Sequence, residues 1–441
     1  METELEEIRV TTQPLPTNKQ VDSRDFRVES ISLISSQGVT VDITAMVMEL
    51  QLRQDIYLGF MSAEIMIQDA IGLYSDVKFH GNEYVYFQIR EPEQKLLIKK
   101  AFRVYKISNR DNIQNSAQRY IIYLVSDEMV LSQNSRISKA YKNQPISSIV
   151  KDVLKTYLKI PDKRIKVDET TIPFDIVIPN KRPLEALNWL TSRAYTNEDS
   201  AYFFYENLDG FNFRAIQSLY KEAPPISEAY VFQNKSIEKS LKSDKFSIDS
   251  VTGMKEFDVL SGISSGMYTM GLLGLDPYYR TYTTTKYNLN TNKSLYTNKP
   301  PSSSDPLLLK EDSTAHYLTY LDRAATSSEK QMGTREWVKR IMSLAALNNT
   351  LTELVLPGSI RVQVGKLIEI VYPKAVTPND SQDQVDKLRS GLYLVVAVNH
   401  KIDMLNQRYQ TICMVARDSQ PESLPASDTT LPDKIRKLNN G

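Results

Sequence analysis

Residues Glu64–Arg90 read EIMIQDAIGLYSDVKFHGNEYVYFQIR. Ala63, Ile65 and Ile67 alternate with Glu64, Met66 and Gln68, the two-residue period of a half-buried strand. Asp69 then caps a short turn over Ala70–Tyr74. Gly81 returns the chain to an extended path, with Val85, Phe87 and Ile89 on one side and Tyr84, Tyr86 and Gln88 on the other. A strand, a connector and a second strand of this kind belong to an antiparallel β-domain.

The same signals recur on both sides of this stretch. Phe26–Ser35, Val39–Leu50, Ser62–Gln68, Tyr84–Arg90, Ala101–Ile107 and Arg119–Ser126 are six candidate strands. Polar turns at Ser36-Gln37-Gly38, Pro92-Glu93-Gln94 and Asn109–Ser116 separate several of them. Short strands joined by short turns predict a small antiparallel barrel over residues 25–127. Tyr120–Val125 is apolar on both faces, which suits a strand covered on both sides. Residues 1–24 are polar, contain Pro14 and Pro16, and read as an arm.

The period changes over residues 128–200, which read as an α/β insert. Ile146, Ile149, Val150, Val153, Leu154, Tyr157 and Leu158 fall at helical spacing, with Pro145 where a first-turn proline is tolerated. A second helix opens at Pro183, and Phe174–Ile178 between the two is a short strand. Residues 201–260 return to β as the first part of a second barrel, with Leu208-Asp209-Gly210 as a hairpin turn. Phe257–Gly274 carries Gly262, Gly266, Gly271 and Gly274 and reads as a loop or packed turn. It lacks the Gly-Lys-Ser/Thr ending of a phosphate loop. Residues 261–350 form a further α/β part with long loops, including Asn290–Asp312, and a helix within Ser328–Asn348. Residues 351–417 supply the rest of the second barrel, closed by a hairpin of Gly391–Val398 and Arg408–Ala416 around His400–Asn406. Val376–Arg389 interrupts this region, and residues 418–441 read as a tail.

Composition narrows the function classes. Lys and Arg total 54 against 53 Asp and Glu, and a net charge of +1 argues against a dedicated nucleic-acid binder. Tyr is abundant at 25 and Gly scarce at 15, a bias that suits strands and interfaces. One cysteine, Cys413, excludes an intramolecular disulfide framework and a Cys-based zinc site. The start, METELEEIRV, lacks the basic and apolar regions of a signal peptide, and no apolar run is long enough to span a bilayer. Assembly in the cytoplasm, without membrane partners, is the expectation.

No active site is legible. His80, His316 and His400 are far apart and lie outside any HExxH context. Gly262-Ile263-Ser264-Ser265-Gly266 has Gly-x-Ser-x-Gly spacing, but it falls in the stretch read as a loop or packed turn. The carboxylate pairs Asp127-Glu128 and Glu198-Asp199 could serve a glycosidase, but read as solvated turns. The basic clusters Lys99-Lys100…Arg103, Lys181-Arg182 and Lys235–Lys245 read as solvated surface, and only the first is interleaved with rings, Phe102 and Tyr105. No catalytic, cofactor-binding or metal-binding residue is expected.

Four ordered pieces resemble a known family. IMIQDAIGLYSDVKFHGNEYVYFQI (65–89) resembles the first barrel of the central hub subunit of contractile phage tails. FRVYKISNR (102–110) and QRYIIYLVSDEMVLSQNSRISKAYKNQPISSIVKDVL (118–154) resemble that barrel's last strands and the start of the α/β insert. IPNKRPLEALNWLTSRAY (178–195) and AYFFYENLDGFNFRAI (201–216) resemble the helix and hairpin that follow, and LPGSIRVQVGKLIEIVYP (356–373) a late strand pair of the second barrel. The hub is related to the N-terminal part of secretion-system spike proteins. The resemblance implies a mostly β, α+β chain with two small antiparallel barrels and an inserted α/β region. It further implies a homotrimeric ring that adapts a hexameric tail tube to a trimeric spike, contacts baseplate wedge proteins, and passes the tape-measure protein and DNA. The location implied is the virion tail baseplate, and the role structural, not enzymatic. The chain ends soon after the second barrel, so the spike is expected to be a separate protein. A tail-associated peptidoglycan hydrolase and a receptor-binding tail protein are the alternatives. Gly81–Ile89 and Gly365–Val371 both open with Gly and continue apolar, but their registers differ by one residue, too weak an echo to count as a repeat.

Overall fold

Burial follows the alternation of the opening stretch: Ala63, Ile65, Ile67, Val85, Phe87 and Ile89 are all within 3% of full burial. The structure, a computed structural model, describes residues 26–91, 96–114, 117–196, 200–232, 246–276, 280–289, 316–320, 327–373 and 385–419. The expected arm, residues 420–441 of the tail, Asn290–Asp312, Lys235–Lys245, Glu198-Asp199 and most of the interruption at 376–389 lie outside these residues.

The first part contains β1 (Arg27–Ile34), β2 (Thr40–Asp42), β3 (Val47–Asp55), β4 (Ser62–Asp69), α1 (Leu73–Val77), β5 (Tyr84–Glu91), β6 (Leu96–Gln114) and β7 (Ala117–Val125). The single strand expected over Val39–Leu50 is broken. Asp42 accepts hydrogen bonds from the Thr44 N–H and hydroxyl at 2.9 and 2.6 Å, and Thr44 Oγ1 accepts from the Ile31 N–H at 2.8 Å. This local side-chain bonding replaces the ladder with a turn.

The connector after β4 is built on two buried carboxylates. Asp69 Oδ1 accepts from the N–H groups of Ile71, Gly72 and Leu73, and Oδ2 from that of Tyr74, at 2.8–3.1 Å. Glu83, fully buried, accepts from the N–H groups of His80 and Gly81 at 2.9 and 2.8 Å. The Asp and Glu of the sequence pattern thus satisfy backbone donors that a tight, buried connector would otherwise leave unpaired.

The insert follows as α2 (Asp127–Gln133), β8 (Ile137–Pro145), α3 (Ile146–Thr156), β9 (Ile165–Val167), β10 (Pro173–Lys181), α4 (Pro183–Thr191), β11 (Tyr202–Asn207), β12 (Gly210–Ala215) and α5 (Ile216–Tyr220). Both predicted helices form with their prolines at the start, and Ile146, Ile149, Val150, Val153 and Leu154 are fully buried. The β11–β12 hairpin, expected to open the second barrel, instead pairs with β9 in a separate three-stranded sheet. The reason lies in its two apolar faces. Phe203 and Tyr205 enter the core of the C-terminal part, while Tyr202 and Phe204 enter the core of the insert. A strand buried on both faces serves as the partition between two cores.

The last part holds β13 (Tyr230–Val231), β14 (Ser250–Lys255), α6 (Val259–Ser264), β15 (Thr269–Asp276), β16 (Thr281–Asn288), β17 (His316–Tyr320), α7 (Ser327–Leu347), β18 (Leu351–Pro357), β19 (Leu367–Val371), β20 (Gly391–Asp403) and β21 (Arg408–Ala416). The glycine-bearing stretch read as a loop or packed turn is helix α6 and strand β15. Asp258 caps α6 by accepting from the Ser261 N–H at 2.9 Å. Gly262 is needed because a Cβ there would lie 2.7 Å from the Tyr268 ring.

The molecule is mostly β, with helices set between sheets. Neither β-rich part closes into a barrel of its own among the described residues; both run into one 13-stranded sheet. The two parts nevertheless repeat one plan. Across the sheet the first runs β3-β4-β7-β6-β5, and the second β14-β18-β21-β20-β19, every neighbouring pair antiparallel. The plan diverges at the next strand, since β1 is antiparallel to β5 but β13 is parallel to β19. The agreement reaches single hydrogen bonds. The Val104 N–H donates to the Glu83 carbonyl, and the Val395 N–H to the Lys366 carbonyl, both at 2.9 Å. A β-bulge follows each valine, between Val104 and Lys106 and between Val395 and Ala397. Gly365 therefore corresponds to Asn82 rather than to Gly81, which accounts for the one-residue mismatch in the sequence echo. The parts join where β20 pairs with β3, from Ala397 opposite Asp55 to Asp403 opposite Glu49.

Burial disfavours the charge on Asp69, but the N–H groups of Tyr74, Leu73, Ile71 and Gly72 outweigh it and hold the carboxyl below its ordinary range. Its stabilisation is complete above that ordinary range and lost as pH falls through the lowered value. Asp69→Ala is expected to reduce unfolding free energy by about 3 kcal/mol, measured from urea midpoints; a loss under about 1 kcal/mol would mean that water replaces the carboxylate.

Candidate functional site

The densest buried charge lies where the insert meets the first sheet. Glu206, at the end of β11, has no exposed surface. Its Oε1 accepts from Lys100 Nζ of β6 at 2.7 Å and lies 3.4 Å from Arg164 Nη2. Its Oε2 accepts from the Met61 N–H at 2.9 Å and the Ser126 hydroxyl at 2.5 Å. Arg164, just before β9, also holds Glu128 of α2 at 2.9 Å. Gly210 makes this approach possible. It has φ +134°, and a Cβ there would lie 2.3 Å from the Arg164 carbonyl oxygen.

This arrangement revises two sequence readings. Glu128 is not a solvated turn residue, and Lys100 is not a solvated strand-edge cation; both belong to one enclosed network. Alternation along β6 contained a weak signal, because Lys100 shares the inward side with Phe102 and Val104. Nothing local marked Glu206, whose neighbours Phe203–Tyr205 are simply apolar. Burial raises the Glu128 carboxyl above its ordinary value, as does the nearby Glu206 charge, against the opposing pull of Arg164 and Lys100. Glu206 already accepts from several donors and faces no solvent, so the network suits positioning of the insert rather than attack on a polysaccharide.

The remaining sequence candidates are scattered. His400 is buried in β20 with Nδ1 3.0 Å from the Tyr409 hydroxyl, and burial pushes its ionisation down to about 4. His80 lies in the connector before β5. Cys413 is a buried thiol of β21, its ionisation pushed up by burial. Lys181 pairs with Glu185 at 2.6 Å on the insert surface, and Arg103 pairs with Asp127 at 3.3 Å. Among the described residues no group of three or more His, Cys, Asp or Glu is placed to hold a metal ion, and no helix is long and apolar enough to cross a membrane. Over the β20–β3 junction lies an open groove of about 290 Å³ between Gln54, Leu58, Phe60, Val398 and Met414, a shape for surface contact rather than for enclosing a ligand.

This sheet-and-insert architecture is shared with two solved phage tail proteins. The tail protein from Neisseria meningitidis MC58 superposes with a TM-score of 0.54 at 9% identity, covering 88% of this chain and 96% of that one. The 43 kDa tail protein of prophage MuSo2 from Shewanella oneidensis gives 0.50 at 9% identity, over 88% and 98%. No protein-family model matches the sequence, and no curated protein matches it.

Removing Lys100 while keeping Glu206 strips that buried carboxylate of its nearer cation and leaves only Arg164 at 3.4 Å. Lys100→Met is expected to cost about 3–5 kcal/mol in denaturant unfolding, and the Lys100→Met/Glu206→Gln pair clearly less than the sum of its singles. The raised Glu128 carboxyl makes the folded state bind its proton more tightly than the unfolded state. Stability should therefore fall as pH rises from the ordinary Glu range through the raised value, and Glu128→Gln should flatten that slope.

Proposed function

We propose that this chain is the central hub of a contractile-tail baseplate, a structural protein of the virion tail assembled in the host cytoplasm. The observation that carries the reading is the repeated strand plan. One chain holds two copies of the same five-strand arrangement, so three chains in a closed ring present six. Such a ring offers near-sixfold contacts to a hexameric tail tube and threefold contacts to a trimeric spike. Its centre is the channel for the tape-measure protein and then DNA, and baseplate wedge proteins bind outside it. The near-neutral charge of the chain suits a passage that does not retain phosphate.

On this reading residues 25–127 act as the first barrel-like unit, 128–200 with the β11–β12 hairpin as the insert, and the rest of 201–260 with 351–417 as the second unit. Residues 261–350 form the second part of the α/β region, and residues 1–24 and 418–441 are the arm and tail. The likeness to tail proteins supports the setting, and the enclosed Glu206 supports a structural role over a peptidoglycan hydrolase.

Light scattering of the purified chain is expected to report about 150 kDa, three times 50.4 kDa. A monomer that persists when the neighbouring spike is co-expressed would remove the ring. Zymography of the isolated chain is expected to show no clearing of cell wall, and a clear band would favour the hydrolase instead.

A further inference from the structure

Among the described residues the two repeated strand sets leave complementary open edges. Inside the chain, the N-terminal part of β20 pairs with β19, as far as Leu394, and its C-terminal part, Ala397–Asp403, pairs with β3 on the same side. The equivalent strand in the first set, β6, pairs with β5 only as far as Arg103. Among the described residues nothing pairs with that side of β6 beyond the bulge at Tyr105. The equivalent of β3 in the second set is β14, which pairs with β18 on one side and has no described strand on the other. One junction is filled within the chain; the two strands that would form its counterpart have no described partner on the corresponding sides.

Burial marks the same asymmetry. Val396, the bulge residue of β20 at the filled junction, is 5% exposed, whereas its counterpart Tyr105 in β6 is 54% exposed. Phe257, two residues beyond β14, is 58% exposed. Ile121 and Tyr123 of β7, on the Tyr105 side of the sheet, are only half-buried despite their apolar character.

We infer that the C-terminal part of β6 in one copy pairs antiparallel with β14 of the next copy, repeating between chains the β20–β3 junction inside each. The inference rests on the ring reading above and specifies its interface. The contact is head-to-tail, because β6 and β14 are different surfaces, and head-to-tail contacts close into a ring when the rotation permits. Main-chain groups supply the bonds, while Tyr105 and Phe257 supply apolar surface to be covered. The register follows by equivalence. Through the shared bulge Asn399 corresponds to Ser108, and through the β4 and β18 ladders Arg53 corresponds to Lys255. Since Asn399 lies opposite Arg53, Ser108 of one copy should lie opposite Lys255 of the next.

The test is a cysteine pair in the full-length chain. Residues directly opposite in an antiparallel ladder have Cα atoms about 4.5–5.5 Å apart, within disulfide reach. Ser108→Cys with Lys255→Cys is expected to give covalent trimers under mild oxidation, and neither single variant should. Asn112→Cys with Lys255→Cys, out of register, should not cross-link. Tyr105→Asp is expected to reduce the solution mass threefold with the unfolding midpoint unchanged. A chain that is trimeric by light scattering but gives no Ser108–Lys255 cross-link overturns the junction and leaves the ring standing. A chain that stays monomeric with its spike co-expressed overturns both.

Discussion

Everything else in this molecule depends on the main-chain ladder between β20 and β3. These strands lie more than 300 residues apart in the chain, and their seven-residue register welds two strand sets into one sheet. Ile402 and Tyr409 of the second set complete the core of the first, and the Phe26 ring meets Tyr409 at 5.8 Å, bringing the start of β1 back onto β21. Neither set closes alone because each borrows part of its core from the other. That sharing fixes their relative position, which any function as a ring component requires.

The insert is held by a different physics. Among the described residues no strand of the insert joins the 13-stranded sheet; β11 pairs with β12, and β12 with β9. The Lys100–Glu206–Arg164–Glu128 network attaches it instead, reaching from β6 through β11 to α2. A buried ionic cluster is weak evidence for net stability, but it is selective in geometry: displacing the insert would separate charges in a poorly hydrated space. Asp69 and Glu83 apply the same principle on a smaller scale, converting backbone donors in a short connector into a fixed shape.

Local patterns in the sequence were enough to identify the β4–connector–β5 unit, both helices of the insert with their leading prolines, the Leu208–Gly210 turn, and the β20–β21 hairpin. Each rests on side-chain period or on turn chemistry within about ten residues, so the information is contiguous. The resemblance to a tail hub rested on the same contiguous pieces. Apart from the local Asp42–Thr44 break in Val39–Leu50, the readings that failed were those in which partners came from elsewhere. Glu128 and Lys100 looked like surface charge because Glu206 is remote in sequence, and the glycines of 257–274 looked like a loop because Tyr268 had not yet been placed against Gly262.

The sequence by itself determined most strands of the first set and both helices of the insert, since backbone preference and burial period act over one or two turns of chain. It also determined that Asp69 would cap the turn after β4, whereas the part played by Glu83 emerged with the structure. The tertiary structure alone decided that the two strand sets repeat one plan, because topology is stored in which strands pair and not in which residues they contain. Gly365 aligning with Asn82, and the matched bulges after Val104 and Val395, emerge only once the ladders are laid side by side. The open edges of β6 and β14 belong to the same level of description, because an edge is defined by the absence of a neighbour and no residue type spells it.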